Sequence, residues 1–278
     1  MSQSVPVETE SSRWAIHPTH DVDSKTKDQA RQSKLWIMMP AFNEEIGIRS
    51  LIQKIGQMAH QYRYQYEIVV VDDASTDQTA KIASQLSFHF PVSLVQHSVN
   101  QGLAGAMRTG FEFVIKRGQT GDIVVTLDAD DTQPPATIPA MVTKLHEGYD
   151  VIIASRYQPG SRTLGVPRHR LAMTWLAKWM FKILTPIEGV WDYTCGFRAY
   201  RFEILSETMS HYGDQFISEK GFSCMVDVLL KMRPFGWVMG EVPMLLRYDQ
   251  KEGASKMNVS KTATQTIQLL IKRRMGKL

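Results

Sequence analysis

Residues 122–131 read Asp122-Ile-Val-Val-Thr-Leu-Asp-Ala-Asp-Asp131, an apolar run that ends in three carboxylates within four positions. A strand covered on both faces of a parallel sheet is a near-continuous run of Val, Ile and Leu. Ile123 to Leu127 therefore reads as a buried strand that delivers Asp128, Asp130 and Asp131 to its C-terminal edge. Open α/β sheets bind ligands at that edge. Carboxylates this close repel unless a cation lies between them, and a hard divalent ion takes one or two carboxylates plus substrate phosphate oxygens. The segment predicts a metal site for a phosphate-bearing substrate. A solvated acidic turn before Pro134 and Pro135, capping the next helix, is the plainer alternative.

Working outward, the same alternation repeats. Leu35 to Met39, Tyr66 to Val71 and Val92 to Gln96 read as strands. Helices are expected over Ile46–Gln61, Ser75–Leu86 (capped by Ser75 or Thr76), Ala104–Lys116 and Pro135–Glu147. Strands alternating with helices at short spacing imply an α/β fold, a mostly parallel Rossmann-like sheet flanked by helices in a single domain. After Val151 to Ala154 the rhythm breaks. Residues 156–170 read as a Gly/Pro/Arg loop, Leu171 to Leu184 as a helix, and Trp237 to Pro243 as a late strand.

The chain has 278 residues, 43% of them hydrophobic, enough for a full core. Residues 1–33 are polar and read as a disordered or loosely attached tail, in which His17, His20, Asp21 and Asp23 lack a scaffold to act as a metal cluster. Residues 34–258 form the expected domain, and 259–278 a basic amphipathic helix. Cys195 and Cys224 are too few for a disulfide framework and read as core or near-site thiols. The net charge of +4 excludes a dense nucleic-acid arm, so no nucleic-acid partner is expected. No leader and no run of 18 uncharged apolar residues is visible, so a cytoplasmic chain without a spanning helix is expected.

Four segments carry a resemblance: Pro40-Ala-Phe-Asn43-Glu44-Glu45, Val71-Asp72-Asp73-Ala-Ser75-Thr-Asp77, Asn100-Gln-Gly102-Leu-Ala-Gly105 and Asp128-Ala129-Asp130. In that order they resemble the family 2 inverting glycosyltransferases of GT-A fold. Ala154-Ser155-Arg156-Tyr157, Gly196-Phe197-Arg198 and Glu241-Val242-Pro243 followed by Gly253-Ala-Ser255-Lys256 resemble the dolichyl-phosphate mannose synthase and polyprenyl-phosphate glycosyltransferase branch. The resemblance implies a nucleotide-diphosphate sugar donor, GDP-mannose or a UDP-hexose. Pro40, Asn43, Gly102 and Ala129 would be substrate-binding residues. Glu44 and Asp73 would read the base and Asp72 the ribose, since short carboxylates at strand ends accept such hydrogen bonds. Asp128 and Asp130 would bind Mg²⁺ or Mn²⁺ on the donor diphosphate. Thr132 stands where that branch can carry a metal-binding Gln, so the third ligand is either Gln133 or Asp131.

By the same resemblance Arg156, Arg170 and Thr174 would hold the phosphate of a polyprenyl-phosphate acceptor; Arg170 and Thr174 share a helix face at i, i+4. Guanidinium groups match phosphate oxygens in pairs. Arg168 lies in the same basic stretch. Lys251 and Lys256 resemble a loop closing over the diphosphate. An acceptor phosphate is already anionic; a hydroxyl acceptor would need a general base, for which Asp192 is the candidate. Leu171 to Ile187 interleaves Trp175, Trp179, Leu176 and Ile183 with Lys178 and Lys182, as in a helix lying in a membrane interface, and Thr266 to Leu278 has similar character. Membrane contact would then come from these helices or from a membrane-protein subunit. A buried helix with snorkelling lysines explains the first pattern as well. A silent nucleotide-sugar-binding subunit is the alternative from another class.

Overall fold

The computed structural model describes residues 33–166 and 178–250. Nine strands and six helices follow in order: β1 (Lys34–Ala41), α1 (Ile48–Gln61), β2 (Gln65–Asp72), α2 (Thr79–Leu86), β3 (Val92–Gln96), α3 (Gly102–Ile115), β4 (Ile123–Thr126), α4 (Ile138–His146), β5 (Val151–Ser155), β6 (Arg162–Leu164), β7 (Arg198–Arg201), α5 (Phe202–Tyr212), α6 (Ser223–Met232), β8 (Met239–Pro243) and β9 (Leu245–Arg247). Residues 178–184 are helical as well.

Seven strands form one sheet in the order β3-β2-β1-β4-β7-β5-β8. All pairs are parallel except those of β7, which runs antiparallel between β4 and β5. The mostly parallel sheet is thus as expected. The apolar runs explain its centre: Leu35 to Met39, Ile68 to Val71 and Ile123 to Val125 are all buried. Helix α1 turns Ile48, Leu51, Ile52, Ile55 and Met58 to the core, the i, i+3, i+4, i+7 stripe of an amphipathic helix. Helix α3 packs on β1 and β2, and Gly110 allows it: a Cβ there would collide with Met38. Trp36 is buried because its indole N–H donates to Asp122 at 2.9 Å; the same carboxylate accepts the Lys34 N–H at 3.0 Å, tying the start of β1 to the turn before β4.

Several boundaries differ from the sequence reading. α2 begins at Thr79, not Ser75, because Ser75 and Thr76 are drawn into bonds with Asn43 of another loop. Pro135–Thr137 form a 3-10 turn ahead of α4. The loop expected over 156–170 contains β6, which pairs in parallel with β9. The sheet edge at β8 is covered by the 187–192 loop: Glu241 accepts the Trp191 and Asp192 N–H groups at 2.7 and 2.6 Å. Covering an edge this way blocks further strand pairing.

Candidate active site

The C-terminal ends of β1, β2 and β4 converge. Each is followed by a non-glycine residue in the left-handed region: Asn43 (φ 53°), Ala74 (φ 60°) and Asp131 (φ 57°). For alanine this costs about 1–3 kcal/mol and persists only where surroundings impose it. They do so here through a zip between two loops. The Asn43 N–H donates to Ser75 Oγ (2.9 Å), the Thr76 N–H to Asn43 Oδ1 (2.8 Å), the Glu44 N–H to Thr79 Oγ1 (2.8 Å) and the Glu45 N–H to Asp77 (3.1 Å). Asn43, expected on substrate, uses its amide oxygen to hold the neighbouring loop. Pro40 and Glu44 are half-buried at the same rim.

Asp72 and Asp73 part company. Asp73 is consumed internally: its carboxylate accepts the Gln101 and Gly102 N–H groups at 2.8 and 2.7 Å and contacts the His97 ring at 2.7 Å. Gly102, at φ +74°, supplies the turn that aims its N–H there. Asp73 thus braces the start of α3, a role that the base-reading expectation did not include. Asp72 is equally buried, yet its Oδ1 has no hydrogen-bond partner; Oδ2 has only Gln96 at 3.5 Å. A buried carboxylate oxygen left unbonded is costly, and a ligand hydrogen bond would satisfy it.

Asp128 and Asp130 follow β4, half-buried, with Ala129 buried between them. Gln133 clamps the first: its Oε1 accepts the Asp128 N–H at 3.0 Å and its Nε2 donates to Asp128 Oδ2 at 2.8 Å. Thr132 clamps the second, its hydroxyl donating to Asp130 Oδ1 at 2.7 Å. Asp131 points elsewhere, paired with Lys54 of α1 at 2.5 Å. Of the two candidates for a third ligand, Gln133 lies against Asp128 and Asp131 against Lys54. Gln133 orients a carboxylate, and Asp131 is neutralised by a lysine. Among the described residues no group of three or more His, Cys, Asp or Glu gathers around a common point. Two oriented carboxylates suit a hard divalent ion that completes its shell with substrate phosphates and water. Gly196 keeps room beside the pair, since a Cβ there would come no closer than 3.7 Å to Asp128 Oδ1.

On the far side of β5, Arg156 does not stand open for a phosphate. Its Nε and backbone N–H donate to Asp192 Oδ2 at 2.8 and 3.0 Å, and its Nη2 donates to Asp192 Oδ1 and Thr194 Oγ1, both at 2.6 Å. Asp192 is fully buried. Burial alone would raise its pKa, but the Arg156 guanidinium outweighs it and holds the carboxyl below the usual range. A buried carboxylate, kept ionised and fully hydrogen-bonded, is no general base, and that candidate role is withdrawn. The Cys195 and Cys224 thiols are pushed up to about 12 by burial and are core groups. Arg198 is also fully buried, donating to the carbonyls of Cys195, Met225 and Tyr193.

Lys178 and Lys182, noted in the sequence only as interleaved cations, meet aromatic rings here. The Lys178 ammonium lies 4.7 Å from the Tyr157 ring centre and 4.6 Å from that of Trp191; Lys182 lies 4.7 Å from Trp191. Burial keeps the Tyr157 phenol protonated well above its ordinary range. Glu241 was quoted only within a motif; a lone acid in the otherwise apolar Met239–Pro243 strand was the signal that it braces a loop. Arg168, Arg170, Thr174, Lys251, Lys256, the tail and the C-terminal helix lie outside the described residues.

With this geometry in place, comparison with known proteins is decisive: residues 36–209 match glycosyl transferase family 2. The chain belongs to that family. Among relatives, a dolichol-phosphate mannosyltransferase of Pyrococcus furiosus is 30% identical over 199 residues, 71% of this chain and 53% of that protein. The chain therefore spans about half the length of the Pyrococcus protein. A polyprenol monophosphomannose synthase of Mycolicibacterium smegmatis is 28% identical, covering 81% of each chain. An undecaprenyl-phosphate mannosyltransferase of Micrococcus luteus is 29% identical, covering 80% of this chain and 86% of that one. A solved glucosyl-3-phosphoglycerate synthase of Mycobacterium tuberculosis, complexed with Mn²⁺ and UDP, superposes with a TM-score of 0.61 at 21% identity, covering 89% of this chain and 81% of that one. That likeness shows the shared fold, a GT-A sheet flanked by helices.

Proposed function

We propose that the chain is a metal-dependent inverting glycosyltransferase that moves a sugar from a nucleotide-diphosphate donor to a polyprenyl phosphate at the cytoplasmic face of a membrane. The observation that carries the donor half is the half-exposed Asp128 and Asp130 pair, each carboxylate oriented by a neighbour at the end of β4. The unbonded buried oxygen of Asp72 supports a nucleotide hydroxyl or N–H at the next strand end. The names of the three relatives favour mannose as the sugar and a polyprenyl phosphate as acceptor.

Asp128 and Asp130 would hold Mg²⁺ or Mn²⁺, which bound there would act as a Lewis acid on the leaving diphosphate. Gln133 and Thr132 keep the two carboxylates aimed. Gly196 leaves space for the donor beside Asp128. An acceptor phosphate oxygen attacks the anomeric carbon as the bond from that carbon to the donor diphosphate breaks, and the nucleoside diphosphate leaves with the electron pair. The attacking group is already an anion, so positioning replaces a base. This accords with the withdrawal of Asp192. Among the described residues no helix is long and apolar enough to cross a membrane. Trp179 and Ile183, 41% and 72% exposed on the 178–184 helix beside Lys178 and Lys182, support contact with a lipid surface.

The test is label transfer into an organic phase from a panel of nucleotide sugars, with Mn²⁺ and a short polyprenyl phosphate. Transfer from one donor names the sugar. The Asp130→Asn variant should lose at least ~100-fold in turnover while melting as wild type. Wild-type protein that binds donor yet transfers nothing to the lipid phosphate would overturn the acceptor.

A further inference from the structure

We propose that Lys54 is a positioning residue for the metal: by pairing with Asp131 it keeps the third carboxylate of the turn after β4 out of the ion's shell, leaving places there for donor phosphate. This rests on the reading that Asp128 and Asp130 hold the ion. The difficulty that Lys54 resolves is set by the sequence, which puts three carboxylates within four positions. Adjacent Cα atoms lie about 3.8 Å apart, so Asp131 is within reach of what its neighbour binds. Hard divalent ions take oxygen ligands in number, and an unrestrained acidic turn would offer all three carboxylates. A shell filled by the protein has fewer positions for a substrate. Something must hold the third carboxylate back.

Helix α1 does so. One face of it lies along the turn. Gly47, at its cap, comes so close that a Cβ there would stand 3.0 Å from the Asp130 carbonyl carbon. Lys54, seven residues on and hence on the same face, reaches Asp131 Oδ2 at 2.5 Å. Leu51, Ile52 and Ile55 anchor the helix in the core, so the ammonium is presented from a fixed element. Each carboxylate of the turn then has a brace of its own: Gln133 for Asp128, Thr132 for Asp130 and Lys54 for Asp131. The first two braces come from the turn itself, and only the third comes from another element. Asp131 is also the one of the three with a left-handed backbone, φ 57°. The Lys54 side chain is 44% exposed and that of Asp131 16%, so the pair adds little to stability. Its place beside the metal carboxylates gives it a use.

The experiment measures Mn²⁺ binding to the full chain from the electron paramagnetic resonance signal of free Mn²⁺, with and without GDP or UDP. Coordinated water is read from the proton relaxation of bound Mn²⁺. Wild type, Lys54→Met, Lys54→Arg, Asp131→Asn and the double variant Lys54→Met with Asp131→Asn are compared. Methionine keeps the apolar stem and the helix propensity, and the melting temperature checks the fold. Without nucleotide, Lys54→Met should bind Mn²⁺ about tenfold more tightly, with less relaxation as a carboxylate displaces water, and GDP or UDP should then add less affinity than in wild type. Lys54→Arg should behave as wild type. In the Asp131→Asn background, Lys54→Met should shift the affinity less than about threefold, because the carboxylate it would release is gone. Unchanged affinity in Lys54→Met overturns the proposal and leaves the metal site standing. An equal shift in both backgrounds overturns it as well, and makes Lys54 a distant charge. Wild type that binds Mn²⁺ no better than Asp130→Asn, with or without nucleotide, overturns the metal reading and the proposal with it.

Discussion

At the scale of single residues, Arg156 and Asp192 show how a buried charge is tolerated. Asp192 is fully enclosed, and removing its partner would leave an ionised carboxylate in a dry site, a loss of about 3–5 kcal/mol. The pH dependence follows from its lowered pKa. In wild type the pair contributes stability above the unfolded carboxyl value, lost as pH falls through the folded value. In Arg156→Met the guanidinium's lowering of the Asp192 pKa is lost while burial stays, opposed only by the residue-156 N–H and Arg198, so the pKa rises and the variant recovers stability on protonation. Urea unfolding should therefore show a deficit that is largest near pH 7 and shrinks toward pH 4. A deficit independent of pH would mean that Asp192 is not held ionised by Arg156. None of this was legible in the sequence, where 36 residues separate the partners and Asp192 reads as an available base. Asp128 and Asp130 were legible because the strand that delivers them is itself a composition signal.

Elements were legible in proportion to how far burial writes itself into composition. β1 and β4 are covered on both faces, so Leu35 to Met39 and Ile123 to Leu127 stand out as apolar runs. β7 reads Arg198-Ala-Tyr-Arg201 and gives no such signal, although it lies between β4 and β5. Its Arg198 is made tolerable by carbonyls brought from residues 193, 195 and 225, which no local pattern announces. β6 and β9 have three residues each, below what periodicity detects. The join between α1 and the turn after β4 is another tertiary fact. A Cβ at Gly47, the cap position of α1, would lie 3.0 Å from the Asp130 carbonyl carbon and 3.3 Å from the Ala129 oxygen. Gly47→Ala should push the carboxylate turn by a few tenths of an ångström. Turnover should drop roughly tenfold with a higher half-saturating Mn²⁺, because small misplacements of reacting groups are expensive. A manganese titration unchanged from wild type would show that the turn yields without consequence.

For the whole molecule, the sheet places its two chemistries on either side of β7. Asp128 and Asp130 follow β4, on the side we propose for the donor, and the Lys178, Tyr157 and Trp191 cluster lies beyond β5, on the side we propose for the acceptor. The proposed lipid acceptor requires the second side to reach a membrane, and among the described residues the 178–184 helix exposes apolar side chains suited to that contact. Trp179 and Ile183 are four residues apart, hence on one face, and both are exposed. Inserting two such side chains only partly into the interface, worth about 1–2 kcal/mol in all, gives weak and reversible attachment. The net charge of +4 adds attraction to anionic headgroups that salt screens. Cosedimentation should show binding to anionic vesicles, weaker binding to zwitterionic ones, and marked loss at about 0.5 M salt. The double variant Trp179→Ala with Ile183→Ala should weaken vesicle affinity about tenfold. Ile183→Ala alone should leave transfer to a detergent-dispersed short acceptor within about twofold, because that 72% exposed side chain stands clear of the Trp179–Trp191 ring contact. Equal vesicle binding by wild type and double variant would move the contact elsewhere on the chain. Loss of transfer to the dispersed acceptor in Ile183→Ala would instead make the helix part of the acceptor site itself.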